Sequence, residues 1–221
     1  MTDAHCHIPH PDVPRQFVIG ADFAGVHPWE TLAETFDLDA ALSDLESRLA
    51  ADARLGVGEI GLDRLREKEI PAVMREAFAA QLELAAGFRR CVVLHGAKCW
   101  GQVVDGCRRH AGSIPAFLFH GFSRSDGLLG DIAALNGFIS VGPALLNDHA
   151  VNYRALAKDL PPNRILIETD MDYSLPETDA DETLRQIAST LAALRGESDP
   201  SALAARLADN ARTFLQPLSG R

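Results

Sequence analysis

The chain has 221 residues, 47% apolar and 24% charged, which suits one α/β domain with a real core and excludes a low-complexity or disordered polymer. Its formal net charge of −10 excludes a large non-specific nucleic-acid surface, although a small phosphate site stays open because bound divalent metals supply positive charge locally. No apolar run approaches the ~18 residues of a membrane span, and the opening Met-Thr-Asp-Ala-His lacks the basic and apolar regions of a signal peptide, so a cytoplasmic protein with reduced thiols at Cys6, Cys91, Cys99 and Cys107 is expected.

The first predicted strand covers 2–7. Alternation puts His5 and His7 on one face and turns Cys6 away, into the layer between barrel and helices. Residues 8–16 include three prolines and are too few for a parallel crossover with its own helix. The next strand is predicted over 17–26. Leu38, Leu42, Leu45 and Leu49 then mark a helix with Asp37 or Asp39 as N-cap. A strand at 55–60 carries Glu59 near its end. Pro71 fits a first helical position, and Met74, Phe78, Leu82 and Ala85 form the stripe that follows. Strands at 91–95, 116–120, 138–141 and 165–169 alternate with helices near 98–111, 126–136 and 149–159. Two more helices, near 179–196 and 200–215, close the chain. The strands read as near-continuous apolar runs, as strands buried on both faces do. The pattern predicts one domain over 1–221, a TIM-type parallel β/α barrel shortened to seven strands, one fewer than usual.

His95 and His120 each end a predicted strand, Glu59 lies near the end of another, and Asp170 directly follows the last. C-terminal strand ends are where barrel enzymes collect catalytic groups. Taken singly, each residue reads as well as a satisfied polar residue or a helix cap. Together, His5, His7, Glu59, His95, His120 and Asp170 form an N/O ligand set that suits a pair of divalent transition metals. His10, His110 and His149 fit no such pattern; His110 reads as a helix C-terminal residue.

Six segments carry a resemblance: Asp3-Ala-His5-Cys6-His7, Gly25-Val26-His27-Pro28, Gly58-Glu59-Ile60-Gly61-Leu62-Asp63, Leu94-His95, Phe119-His120-Gly121-Phe122-Ser123 and Ile167-Glu168-Thr169-Asp170. In this order they resemble the TatD family of metal-dependent deoxyribonucleases, within the amidohydrolase-like barrels. The resemblance implies two divalent ions (Zn, Mn or Mg). His5, His7 and Asp170 would hold one, His95 and His120 the other, with Glu59 bridging. It also implies a hydroxide between the metals as nucleophile, Asp170 as proton acceptor, Glu168 as an orienting group and His27 as a substrate contact. Asp63 is either a partner of these groups or a loop-forming residue.

The chain also departs from that family. Only 20 positions (27 − 7) separate His7 from His27, where the family has an extra strand with flanking helices. A seven-strand barrel would leave edges to be covered by a loop, a helix or a partner subunit, so a homo-oligomer is one expectation. The family's Arg two residues after His95 is Ala97 here, and its Gly after Phe-Ser is Arg124. Lys98 and Arg124 are therefore the candidate phosphate contacts. The leading expectation is a phosphodiesterase acting on DNA ends or short oligonucleotides. A hydrolase of small amides, esters or lactones, and a non-catalytic metal-binding barrel, stand as alternatives.

Overall fold

The structure, a computed structural model, describes residues 1–123, 126–172 and 179–219. Strands β1 (Thr2–Cys6), β2 (Arg15–Val18) and β3 (Phe23–Ala24) come first. Then follow α1 (Leu38–Ala51), β4 (Gly56–Asp63), α2 (Ala72–Phe88), β5 (Val92–Ala97), α3 (Trp100–Arg108), β6 (Phe117–Phe119), α4 (Leu129–Ala134), β7 (Gly137–Val141), α5 (Val151–Asp159), β8 (Ile165–Ile167), α6 (Ala180–Arg195) and α7 (Pro200–Ser219). Strands β3 to β8 pair in sequence order as one parallel sheet, and β1 pairs with β2, also in parallel. Backbone bonds tie the two sheets. Asp170 N donates to His5 O (3.0 Å) and His7 N to Met171 O (2.9 Å) beyond the end of β8, while Ile19 bridges to Phe23 between β2 and β3. The architecture is the expected α/β parallel barrel.

The strand count of seven is corrected to eight strand segments among the described residues. The run expected as one strand over 17–26 breaks after Val18. Gly20 adopts φ +92°, in the region that favours glycine, and the Asp22 carboxylate accepts from Val18 N at 2.9 Å, closing a turn. The link 7–14 contains no helix, as its prolines require, yet β1 and β2 pair directly. Gln16 makes this workable: its amide donates to His10 O and Val13 O and accepts from His10 N. The buried Val13 side chain anchors the same link in the core.

Alternation divides the core into two layers. Val92 and Leu94 of β5, Phe117 and Phe119 of β6, and Ile165 and Ile167 of β8 face the helices, against Leu82, Val103 and Leu184. Val93, Leu118, Phe138 and Leu166 lie in a second cluster with Phe17, Phe23 and, from α7, Ala211, Phe214 and Leu218. By strand parity this second cluster shares its face with His95, His120 and Glu168. The inner face is thus apolar at its N-terminal end and polar at its C-terminal end. Phe214 stacks against both Phe17 and Phe23, at 5.7 and 6.0 Å, and these two rings lie 5.9 Å apart.

Two local features fix the strands that bear the site. A Cβ on Gly61 would sit 2.0 Å from His95 O, so only glycine lets β4 and β5 approach this closely. On β1, the fully buried Asp3 carboxylate accepts from His5 N, Thr169 N and Thr169 Oγ1, stitching β1 to the chain leaving β8. Burial nevertheless pushes its pKa up to about 7.

Candidate metal centre

Glu59 is the hub. Its side chain is almost wholly buried, and five imidazoles surround it. One carboxylate oxygen, Oε2, lies 3.2 Å from His5 Nε2 and 3.4 Å from His7 Nε2. The other, Oε1, lies 2.7 Å from His95 Nδ1, 2.9 Å from His120 Nε2 and 3.6 Å from His27 Nε2. The two oxygens therefore divide the histidines into two groups. Asp170 stands on the His5/His7 side, its Oδ1 3.5 Å from His5 Nε2 and 3.8 Å from His7 Nε2. Its backbone is left-handed (φ +53°), a conformation Asp tolerates better than most residues.

Behind this cluster, further carboxylates hold the rings. Asp63 Oδ2 accepts from His95 Nε2 at 2.9 Å, leaving Nδ1 turned toward Glu59. Burial works against a charge on Asp63, but donors from His95, Leu65 N and Trp29 Nε1 outweigh it and hold its pKa down at about 2. Glu168 Oε1 lies 3.5 Å from His120 Nδ1 and accepts from Gly121 N at 2.8 Å; Ser140 Oγ donates to its other oxygen. Tyr153 stands behind Glu168 and accepts from Gly142 N. Burial opposes charge on Glu59 as well, yet the neighbouring His120 and His5 hold it well below the usual carboxylate range. His120 goes the other way: burial would lower its pKa, but Glu59 and Glu168 raise it well above the ordinary value.

The residues present fit a divalent cation. Among the described residues, fully buried His5 makes no well-formed hydrogen bond at either ring nitrogen, although Glu59 Oε2 lies 3.2 Å from its Nε2, and His120 Nδ1 makes none with Glu168 at 3.5 Å. Such orphaned groups cost stability unless something coordinates them. Three sets of side chains bring ligand atoms close enough to hold an ion: His5, His7 and Glu59; His27, Glu59 and His95; and His5, His120 and Asp170. Nitrogen and carboxylate donors of this kind suit borderline and hard divalent metals.

The centre opens onto two adjoining depressions. One, about 440 Å³, is lined by His7, His27, Trp29, Glu59 and Asp170 among others. The other, about 700 Å³, runs past Leu65, Lys98, Trp100 and Ser123. Lys98 borders this larger space with φ +59°, whereas Arg124 lies outside the described residues. His27, expected only near substrate, stands within reach of Glu59 itself. Cys6 is buried and points to Gln16 and the Phe17 carbonyl. His110 lies just beyond the end of α3 and is buried, 3.8 Å from Glu83. Sequence reasoning missed Trp29, Ser140 and Tyr153. Trp29 directly follows His27-Pro28 and so carried a signal. Ser140 and Tyr153 had none, because only the folded sheet brings them to Glu168.

A family model described as TatD related DNase matches residues 18–216. The chain is 33% identical, over 154 residues, to the protein named 3'-5' ssDNA/RNA exonuclease TatD of Edwardsiella piscicida; the match covers 69% of this chain and 58% of that relative. This chain thus spans somewhat less than two thirds of that relative's length. The protein of the same name in Dickeya dadantii is 31% identical over 205 residues, covering 88% of this chain and 76% of the relative. Among solved structures, YJJV, a TatD homologue from Escherichia coli K12, superposes with a TM-score of 0.80 at 22% identity, covering 97% of each chain. A TatD-family hydrolase from Entamoeba histolytica gives 0.70 at 17% identity, covering 90% of this chain and 74% of that one. These structural likenesses, at such identities, concern the fold.

Proposed function

Since the chain belongs to the family of TatD-related DNases, we propose that it is a divalent-metal-dependent phosphodiesterase that shortens single-stranded nucleic-acid ends. The observation that carries this reading is the Glu59 carboxylate, with one oxygen turned to His5 and His7 and the other to His95 and His120. On that reading His5, His7 and Asp170 would hold one ion and His95 and His120 a second, with Glu59 serving both. Divalent ions in such a place supply Lewis acidity toward a phosphoryl oxygen and acidify a neighbouring water.

The chain's own groups do the rest. Asp170, half exposed at the edge of the pocket, takes the proton from the attacking water at a carboxylate oxygen. The new P–O bond forms to that water as the bond to the leaving nucleoside oxygen breaks, and that oxygen takes a proton from solvent. His27, partly exposed beside Glu59, contacts the substrate. Asp63 and Glu168 keep the rings of His95 and His120 in orientation. The apolar cluster beneath keeps water from approaching the site from below. Lys98 borders the larger depression, where it meets a phosphate as a point charge. Among the described residues no helix is long and apolar enough to cross a membrane, and the four free, buried cysteines support a reducing, cytoplasmic setting.

The test is degradation of end-labelled single-stranded DNA and RNA with Mg, Mn or Zn added to chelator-treated protein. Shortening that depends on metal and disappears in Asp170→Asn is expected. Protein that is inert on both nucleic acids but opens lactones or amides with metal would refute the phosphodiesterase reading in favour of a carbonyl hydrolase.

A further inference from the structure

A folded chain usually hides its large apolar side chains. Among the described residues three stay notably exposed: Trp29, Leu65 and Val151. Two of them, Trp29 and Leu65, flank the depressions of the metal centre. Trp29 is 38% exposed, yet its ring is not loose. Its Nε1 donates to Asp63 Oδ2 at 2.9 Å, and its backbone N donates to His27 Nδ1 at 3.1 Å. The indole meets the His27 ring at 5.0 Å and the His95 ring at 6.3 Å, nearly perpendicular to both. A rigid aromatic surface thus stands directly beside the side chains that would hold the ions.

The indole also carries a planar visitor already. Arg66 Cζ lies 3.8 Å from the ring centroid. Arg66 is exposed and belongs to the loop that follows β4, where Arg64 and Lys68 also reside. The same loop also carries Glu67 and Glu69, so its charges largely offset one another and Arg66 is singled out by its place over the indole. A cation–π contact at an exposed position is weak, so a planar group of comparable thickness can displace the guanidinium or slide beneath it. A purely structural role for Trp29 accounts for its N–H, which serves Asp63. It does not account for presenting the ring to solvent at the mouth of the pocket.

We infer that Trp29, with Arg66 above it, is the platform that receives the terminal nucleobase, holding the adjoining phosphodiester over the metal centre. The inference rests on the phosphodiesterase reading and names what that reading leaves open: the end is recognised through the π face of an unpaired base, not through its sequence. Stacking on an indole tolerates any base and demands that the base be free of its complement.

The experiment compares a short single-stranded DNA with the same DNA carrying abasic analogues at its terminal positions. Wild-type protein with metal should favour the base-bearing substrate by roughly 10-fold in kcat/KM. Trp29→Ala should bring that ratio close to unity. Trp29→Phe, which keeps a ring but loses the N–H to Asp63, should hold most of it. A wild-type ratio near unity, or an undiminished ratio in Trp29→Ala, overturns the platform. A second readout needs no turnover. Trp100, the other tryptophan, is buried, so thymidine monophosphate should quench wild-type fluorescence and leave Trp29→Phe nearly unquenched. Equal quenching in both, or in neither, also overturns the platform. Protein that quenches but cleaves no nucleic acid would refute the phosphodiesterase reading alone.

Discussion

The two ends of the inner sheet face are built from the same strands and have opposite characters. Val93 and His95 are two residues apart on β5, Leu118 and His120 lie two apart at β6, and Leu166 and Glu168 at β8. Parity puts each pair on one face; depth along the strand decides what each member does. At the N-terminal end, Phe17, Phe23, Phe138 and Phe214 fill the space with rings. At the C-terminal end, carboxylates and imidazoles are crowded beyond what their mutual hydrogen bonds can satisfy. One end is made for stability, the other for binding, and each should fail in its own way.

The largest expected effect is at the polar end. Glu59→Ala should lower kcat/KM on single-stranded DNA by roughly 10³-fold or more, since Lewis-acid stabilisation is worth several kcal/mol and 1.36 kcal/mol is tenfold. Elemental analysis should show loss of both proposed ions, and the chelated protein should lose thermal stability, because the buried His120 that Glu59 holds charged is left without that partner. Retention of two equivalents of metal would break the contrast, because the two groups of histidines would then not depend on their shared carboxylate.

Phe214→Ala tests the apolar end. A cost of about 3–5 kcal/mol is expected for deleting a fully buried ring, read as a lower denaturation midpoint. Metal content and turnover per folded molecule should stay near wild type. A variant that is stable but inactive would show that the two ends are not separable.

Asp3→Ala probes a carboxylate on the polar side of the comparison that does a structural task. It leaves His5 N, Thr169 N and Thr169 Oγ1 without their acceptor, at a cost of about 1–3 kcal/mol. Increased amide exchange where β1 meets the chain beyond β8 is the accompanying sign. The smallest effect is expected away from both ends: Asp37 caps α1 through Ala40 N, and Asp37→Ala should cost about 1 kcal/mol with no change in activity.

Much of this contrast is legible in the sequence because parity and strand ends are. His5/His7 alternation, the terminal positions of His95 and His120, and Asp170 after the last strand all follow from local pattern. The barrel follows from the repeated alternation of strand and helix. The break at Gly20 was less visible, since 17–26 reads as one apolar run and the turn depends on the Asp22 carboxylate reaching back to Val18. The link of nine residues with three prolines leaves β1 and β2 either apart or joined by a tight, helix-free connection; the structure has the second, and Gln16, which has no apolar or charged signature, organises it. Ser140 owes its place to Glu168, 28 positions away. No local spacing encodes such contacts.

The stacking of Phe214 on Phe17 has a kinetic side. Asp3 and Thr169 are 166 positions apart and Cys91 bonds to the Phe214 carbonyl across 123, so the first strands find their lasting neighbours only after most of the chain has been made. Contacts of such separation are slow to form because the loops they close are long. During synthesis β1 and β2 therefore wait as a bare pair with an uncovered Phe17, while β4 and β5, joined by α2, can already assemble. Pulse proteolysis during refolding should find the cleavage sites of residues 1–18 the last to become protected, together with those of α7.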